Sequence, residues 1–197
     1  LRAIEPNPAD RAHGRRYDGL FQLPTLQDII DLLRRMERET GRVLGLCPEL
    51  KLPAYFAERG LDMVTTLVEQ LAANGYSGAD APVWLQCFDA EVLRELSTRT
   101  ALPLMQLLAP QDWPRLPTSE QLDDIREYAT AIGPGKGMLS CDEGRLLADA
   151  KAANLQVYPW VVDGADAAEL EEVIASGVDG LFCNHPDRAV VACERVR

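Results

Sequence analysis

The chain has 197 residues, of which 47% are hydrophobic and 26% charged, and its formal net charge is −11. A chain of this size and composition can bury one hydrophobic core. Its acidic excess, with no basic stripe to offset it, argues against a nucleic-acid partner, and no apolar run approaches the roughly 20 residues of a membrane span.

The chain opens with a polar segment, residues 1–22, that is rich in Pro and Arg and lacks the apolar core of a signal peptide. Residues 23–41 then predict a helix. Thr25 is its expected N-cap, with Asp28 three residues later, and Gly41 is its expected stop. An apolar stripe at helical spacing runs along it: Leu26, Ile29, Ile30, Leu33 and Met36.

Strand-like apolar runs and helical patterns alternate from there to the end of the chain. The expected strands lie near residues 43, 83, 102, 130, 156 and 178. The expected helices cover 61–75, 89–100, 118–129, 144–155, 166–177 and 187–197. Alternation of this kind indicates a parallel sheet with right-handed crossovers.

A (β/α)₈ TIM barrel is the preferred architecture, and a doubly wound sheet is the alternative, weakened by the lack of a dinucleotide fingerprint or a P-loop. The six expected strands are fewer than the eight that close such a barrel. We therefore expect an incomplete barrel, comprising strands 3 to 8, with the first two strands lying upstream.

Polar and aromatic side chains follow the expected strands. Glu49 and Lys51, two residues apart after the run VLGLCP, share one face of their strand. In a parallel barrel all strand ends meet at one mouth, which would gather the following residues: Glu49, Lys51, Gln86, Phe88, Gln106, Pro134–Lys136, Trp160 and Asn184. A carboxylate and an amine beside aromatic rings suit metal-assisted chemistry on a phosphate.

Each of these residues also has a structural interpretation. Glu49 and Lys51 could form an ordinary ion pair at a strand end, Gln86 and Gln106 could pack within the barrel, and Trp160 could belong to the core.

The histidine and cysteine residues offer few candidates for a functional site. His13 lies in the polar opening and is expected to be solvated, whereas His185 follows the last strand and could contact substrate. Asp187 is the expected N-cap of the final helix. The five cysteines contain no CxxC pair, which argues against a zinc site or a redox motif. Their odd number and scattered positions give no support for a disulfide framework.

Six motifs, in order along the chain, resemble the glycerophosphodiester phosphodiesterase family. They are PELK at 48–51, LQCFD at 85–89, LPLMQLL at 102–108, AIGPGKGML at 131–139, LQVYPWVV at 155–162 and GVDGLFCNHPDRAV at 177–190. The resemblance implies a (β/α)₈ barrel that hydrolyses small glycerophosphodiesters to glycerol 3-phosphate and an alcohol, with Ca²⁺ or Mg²⁺ as cofactor.

The resemblance also implies roles for single residues. Glu49 corresponds to a carboxylate metal ligand, Lys51 to a lysine near the phosphate, and Phe88 and Trp160 to aromatic residues lining the substrate pocket. Residues 1–22 would be the end of an insertion found in longer, often periplasmic members, and 23–197 a partial barrel domain. A periplasmic or secreted location is therefore expected.

The departures concern catalysis. The His-Arg-Gly motif, the Glu-x-Asp metal pair and the His-Asp pair of the family are not found in this sequence. The histidines of the two missing motifs would be the general acid and base, so they are expected upstream. No residue of this chain is therefore assigned a catalytic role, and this chain alone is expected to be inactive. Cys87, Gly135 and Asn184 also depart from the common residues. One alternative is a catalytically inactive fragment or degenerate barrel that acts as a binding protein. Another is a different phosphodiester enzyme on the same scaffold, such as a lipid-cleaving phospholipase of related fold.

Overall fold

The computed structural model describes residues 19–112, 115–164 and 166–196. The chain forms two compact units, Leu1–Leu46 and Cys47–Arg197. The boundary predicted between residues 22 and 23 stays a prediction.

The first unit contains helix α1, Leu26–Thr40. Its ends are those that the sequence predicts. The Thr25 hydroxyl accepts a hydrogen bond from the Asp28 N–H while the Asp28 carboxylate accepts one from the Thr25 N–H, which completes a capping box. At the other end Gly41 adopts a left-handed conformation with φ 69°, which a glycine reaches without steric cost.

The second unit alternates helices with strands. The strands are β1 (Leu85–Cys87), β2 (Leu104–Leu108), β3 (Ala131–Pro134) and β4 (Gln156–Val157). The helices are α2 (Pro53–Ala57), α3 (Met63–Ala73), α4 (Ala90–Arg99), α5 (Ser119–Arg126), α6 (Arg145–Ala152), α7 (Ala167–Ala175) and α8 (Pro186–Val196), and two 3₁₀ turns cover Lys136–Met138 and Cys141–Gly144.

The four strands form one sheet in the order β1-β2-β3-β4, and every neighbouring pair is parallel. The register places Gln86 beside Met105, Met105 beside Ala131, and Ala131 beside Gln156. Because each strand is followed by a helix and then by its spatial neighbour, the predicted parallel α/β arrangement is confirmed.

The first and last predicted strands are wrong as strands. Glu49 forms a single parallel bridge to Gln86, and Val43, at the start of the expected first strand, is 77% exposed. Cys183 forms a single parallel bridge to Val162. The reason lies in the hydrogen bonds: at each place only a few backbone groups find partners, such as the Leu50 N–H on the Gln86 carbonyl. Glu49 and Cys183 nonetheless lie beside Gln86 and Val162, the neighbours that the predicted strand order gives them.

Two helix predictions also need correction. The short helix α2 begins with Pro53 directly after Lys51 and Leu52, and the sequence analysis missed it. Helix α8 begins at Pro186, so Asp187 lies in its first turn and is not the N-cap. The His185 carbonyl accepts hydrogen bonds from the N–H groups of Arg188 and Ala189, which places His185 at the start of this helix.

The sheet is buried on both faces, as expected for parallel strands. One face carries Met105, Leu107 and Ala131, against which half-buried side chains pack: Cys47, Trp84, Tyr158, Trp160 and Phe182. We call this the inner face. Residues at alternating positions, such as Leu104 and Leu108, point to the opposite face, where the helices lie. None of the helices in the described ranges has the length and apolar character needed to cross a bilayer.

Candidate functional site

Two aromatic pairs cross the inner face. The rings of Trp84 and Tyr158 lie 5.4 Å apart between centroids, and those of Phe88 and Trp160 lie 5.6 Å apart in an edge-to-face arrangement. Each pair joins a residue next to β1 with a residue next to β4, although two strands lie between them. Adjacent strands are about 4.8 Å apart, so these contacts show a sheet that curves around its inner face.

The pair of Phe88 and Trp160 lies at the carboxyl end of the sheet. Phe88 directly follows β1 and is 42% exposed, while Trp160 follows β4 and is half-buried. The structure therefore brings together the two aromatic residues that the sequence predicts for the substrate pocket, at the edge where parallel α/β proteins place their sites.

Trp160 is held by the segment that ends β3. Its indole Nε1–H donates to the Gly133 carbonyl at 2.7 Å, and its backbone N–H donates to the Pro134 carbonyl at 3.0 Å. The Trp160 carbonyl accepts from the Lys136 N–H at 2.7 Å. The indole bond orients the ring, and the two backbone bonds fix the segment that carries it.

Glu49 and Lys51 form the charged part of the site. Lys51 Nζ lies 3.1 Å from Glu49 Oε2, with 76% of the Lys51 side chain and 21% of the Glu49 side chain exposed. Glu49 pairs with Gln86, two residues before Phe88, so the ion pair and the aromatic pair belong to adjacent segments at one end of the sheet. Both the functional interpretation of Glu49 and the ion-pair interpretation remain compatible with this geometry.

Burial and the Glu49 charge suppress acid chemistry of the nearby thiols. Burial, followed by the charge of Glu49, raises the pKa of the Cys47 thiol to about 11. Burial likewise raises the pKa of the Cys87 thiol, whose Sγ donates to the Leu50 carbonyl at 3.2 Å. At neutral pH both side chains are therefore neutral thiols with little nucleophilic character.

The two glutamines of the predicted mouth have structural roles. Gln86 is buried, and its amide donates to the Cys47 carbonyl at 3.2 Å. Gln106 is 3% exposed and lies on the helix-facing side of β2, where its amide donates to the Phe88 carbonyl at 2.9 Å and its Oε1 accepts from the Tyr128 hydroxyl at 2.9 Å. Placing Gln106 at the mouth was wrong, because neighbouring Met105 and Leu107 occupy the inner face.

The remaining predicted residues lie further along the same edge. The Asn184 amide lies 3.5 Å from the Asp163 carboxylate, which joins the last bridged segment to the loop after β4. The His185 backbone N–H donates to Cys183 Sγ at 3.2 Å, and a substrate contact by the His185 imidazole stays a prediction. His13 lies outside the described residues.

The sequence analysis missed two features of this edge. The Lys136 ammonium pairs with Glu169 in the first turn of α7. The Trp84–Tyr158 pair was also not predicted. It could have been, because side chains two residues apart share a face of a strand, so Trp84 lies on the face of Phe88 and Tyr158 on that of Trp160.

The described residues do not complete a divalent-cation site. Within residues 19–112, 115–164 and 166–196, no three His, Cys, Asp or Glu side chains come together as metal ligands would. Ca²⁺ takes six to eight oxygen ligands, and Glu49 contributes a single carboxylate that Lys51 already engages. A cation held here would need further ligands from outside these ranges.

Comparison with known proteins decides the family. The sequence model that defines the glycerophosphoryl diester phosphodiesterase family matches residues 3–188 of this chain. The chain belongs to this family. Members of the family are generally metal-dependent. The family membership confirms the resemblance seen in the six sequence motifs.

Curated relatives carry the same family name. A glycerophosphodiester phosphodiesterase of Haemophilus influenzae is 25% identical over 211 residues, which cover 86% of this chain and 58% of the relative. One of Treponema pallidum is 26% identical over 87 residues, or 44% of this chain and 24% of the relative. The chain thus spans little more than half the length of the Haemophilus protein.

Solved structures show the fold. A protein of Silicibacter pomeroyi that bears the family name superposes with a TM-score of 0.71 at 21% identity, covering 93% of this chain and 62% of the other. A glycerophosphodiester phosphodiesterase of Parabacteroides distasonis gives 0.67 at 17% identity, covering 90% and 67%. These neighbours are TIM-barrel proteins, so the predicted TIM-barrel class is confirmed. The expectation that the barrel is incomplete stays a prediction.

Proposed function

We propose that this chain is part of an enzyme that hydrolyses glycerophosphodiesters to glycerol 3-phosphate and an alcohol. The observation that supports the proposal most strongly is the contact between Phe88 and Trp160 at the carboxyl end of the sheet, in a chain that belongs to the phosphodiesterase family. The rings offer an apolar wall for the carbon atoms of a small substrate, beside the charged groups of Glu49 and Lys51.

Lys51 is the proposed phosphate contact. Its ammonium is exposed and mobile enough to leave Glu49, since a surface ion pair is stabilised by only about 0–1 kcal/mol. An anionic phosphate oxygen would then compete with the Glu49 carboxylate for the same ammonium. In an acidic chain such a local cation is needed to attract an anionic substrate.

The chemical step itself is assigned to groups outside the described residues. Water adds to phosphorus, the P–O bond to the alcohol breaks, and the alcohol leaves with a proton. The resemblance supports an upstream histidine pair as general base and acid. It also supports Glu49 as one oxygen ligand of a divalent cation whose other ligands lie upstream, in the first two strands of a barrel to which this chain supplies strands 3 to 8.

The test uses the complete gene product with glycerophosphocholine. Release of glycerol 3-phosphate is measured with Ca²⁺, with Mg²⁺ and after chelation, and we expect release that chelation abolishes. A folded protein that releases none under any of these conditions would contradict the proposal and favour the alternative of a degenerate barrel that binds a partner.

A periplasmic or secreted location is part of the proposal and rests on the resemblance of residues 1–22 to an insertion of periplasmic members. Fractionation of cells that express the complete gene is the measurement, and recovery of the protein with cytoplasmic markers would contradict it.

A further inference from the structure

The residues of β3 that point to the inner face are small, whereas those of the neighbouring segments are large. Its inward positions are Ala131 and Gly133, followed by Gly135 beyond the strand, whereas the flanking segments bring in Met105 and Leu107 on one side and Tyr158 and Trp160 on the other. The small residues leave room for these large side chains to meet across β3.

Gly133 has no space for a side chain. A Cβ atom built there would lie 2.6 Å from Leu107 Cδ2 and 3.1 Å from Met105 Sδ. Carbon atoms do not approach this closely without displacement, so any larger residue must move Leu107 or the strand itself. Leu107 is one of the core residues against which Trp160 packs.

The carbonyl of the same residue holds Trp160. The indole Nε1–H donates to the Gly133 oxygen at 2.7 Å, a short bond for a neutral N–H donor. Gly133 therefore acts on Trp160 twice: it leaves space for the packing beneath the ring, and it anchors the ring nitrogen. Steric and polar restraints from one residue define a single ring orientation.

From these observations we infer that Gly133 is a positioning residue for Trp160, and that it sets the affinity of the site for its phosphodiester substrate. The substrate part of the inference rests on the proposed function. Gly133 touches no substrate itself. It keeps the Trp160 ring edge-on to Phe88, so that the two rings form one fixed wall before substrate arrives.

The first experiment follows the Trp160 indole by NMR of the chain labelled with ¹⁵N-tryptophan. The chain has three tryptophans, and Trp160→Phe assigns the relevant indole N–H signal. In Gly133→Ala we expect this signal to shift and its hydrogen exchange to quicken by about tenfold or more, because a weakened hydrogen bond opens more often. The matched control is Gly137→Ala, where a Cβ meets nothing within 4 Å, and it should leave the signal unchanged.

A compensating variant separates positioning from general loss of folding. Gly133→Ala with Leu107→Val removes the Cδ2 atom that the new methyl group would strike. We expect this double variant to fold and to return the Trp160 indole signal toward its wild-type position. An unchanged signal in Gly133→Ala, or a double variant that folds but restores nothing, would overturn the inference.

The second experiment measures hydrolysis of glycerophosphocholine by the complete gene product. For Gly133→Ala we expect KM to rise about tenfold, the equivalent of 1.4 kcal/mol, with kcat nearly unchanged, and for the double variant we expect partial recovery of KM. A shifted indole signal with an unchanged KM would overturn the role in substrate affinity. A wild-type protein that releases no product would instead contradict the proposed function, and the NMR experiment would still decide whether Gly133 positions Trp160.

Discussion

Lys51 Nζ lies 3.1 Å from Glu49 Oε2 at the end of the segment that bridges β1. The ammonium is largely exposed and the carboxylate is more protected, and an ion pair at the surface contributes little to stability. A carboxylate kept for its charge should matter to activity far more than to folding.

We expect Glu49→Gln to change the free energy of unfolding of this chain by less than about 1 kcal/mol, because its partner Lys51 is largely exposed and the pair is therefore screened by solvent. In the complete gene product the same change should abolish cation-dependent hydrolysis. Urea denaturation and product release are the two measurements, and Glu58→Gln, in another exposed pair with Arg59, is the matched control. Equal effects in both settings, with a loss of stability and no separate loss of hydrolysis, would show that Glu49 is a structural partner of Lys51.

The Phe88–Trp160 contact should be measurable as a coupling. Phe88→Leu and Trp160→Phe each disturb the edge-to-face pair, and we expect a coupling free energy of about 0.5–1.5 kcal/mol in a double-mutant cycle from urea denaturation. Additive effects of the two substitutions would mean that the rings pack independently. In the complete gene product both single variants should raise KM more than they lower kcat.

Gln106 should be a stability residue without a role in substrate binding. Gln106→Met leaves the Tyr128 hydroxyl and the Phe88 carbonyl without this partner, so we expect a loss of about 2–4 kcal/mol. Tyr128→Phe leaves one group unpaired and should cost about 1–2 kcal/mol. Denaturation of both variants and of the double variant is the measurement. A Gln106→Met protein of wild-type stability with impaired hydrolysis would return Gln106 to the site.

Stability should fall in alkaline solution. The pKa of the Cys47 thiol is raised from 9.0 to about 11 in the folded chain, so between these values the unfolded chain loses a proton that the folded chain keeps. The stabilisation is therefore complete below pH 9 and is lost as the pH rises toward 11. Raised pKa values of Cys87, Tyr128 and Tyr158, each caused first by burial, act in the same direction.

The urea midpoint at pH 8 and at pH 10.5 tests this expectation, and Cys47→Ala should reduce the difference between the two midpoints. Thiol labelling gives a second measurement: exposed Cys141 should react with iodoacetamide at pH 8 well before Cys47 and Cys87. A midpoint that does not change up to pH 10.5 would contradict the prediction.

Much of the fold follows from local signals in the sequence. Helix α1 is specified by Thr25, Asp28 and Gly41, and Asp89 and Thr118 cap α4 and α5 as their side chains predict. These signals are readable because each cap satisfies backbone groups within a few residues of itself. The alternation of apolar runs with such helices was then sufficient to predict a parallel sheet and the order of its strands.

The side-chain contacts across the sheet could not be predicted from the sequence pattern, because that pattern does not give the register between strands. Gln106 and Gln86 look alike in sequence, yet one faces the helices and the other the inner face, because register decides the face and a shift of one residue reverses it. The lengths of the first and last strands could not be predicted either, because they depend on which backbone groups find hydrogen-bond partners in the folded chain.

The sequence by itself determined the family, the ends of α1, the N-caps of α4 and α5 and the residue types at the carboxyl ends of the strands, because motifs and caps are short-range features. Only the tertiary structure decided that Phe88 meets Trp160 over Gly133. That contact requires the curvature of four adjacent strands, and curvature arises from the packing of distant side chains against one another, which no local stretch of sequence contains.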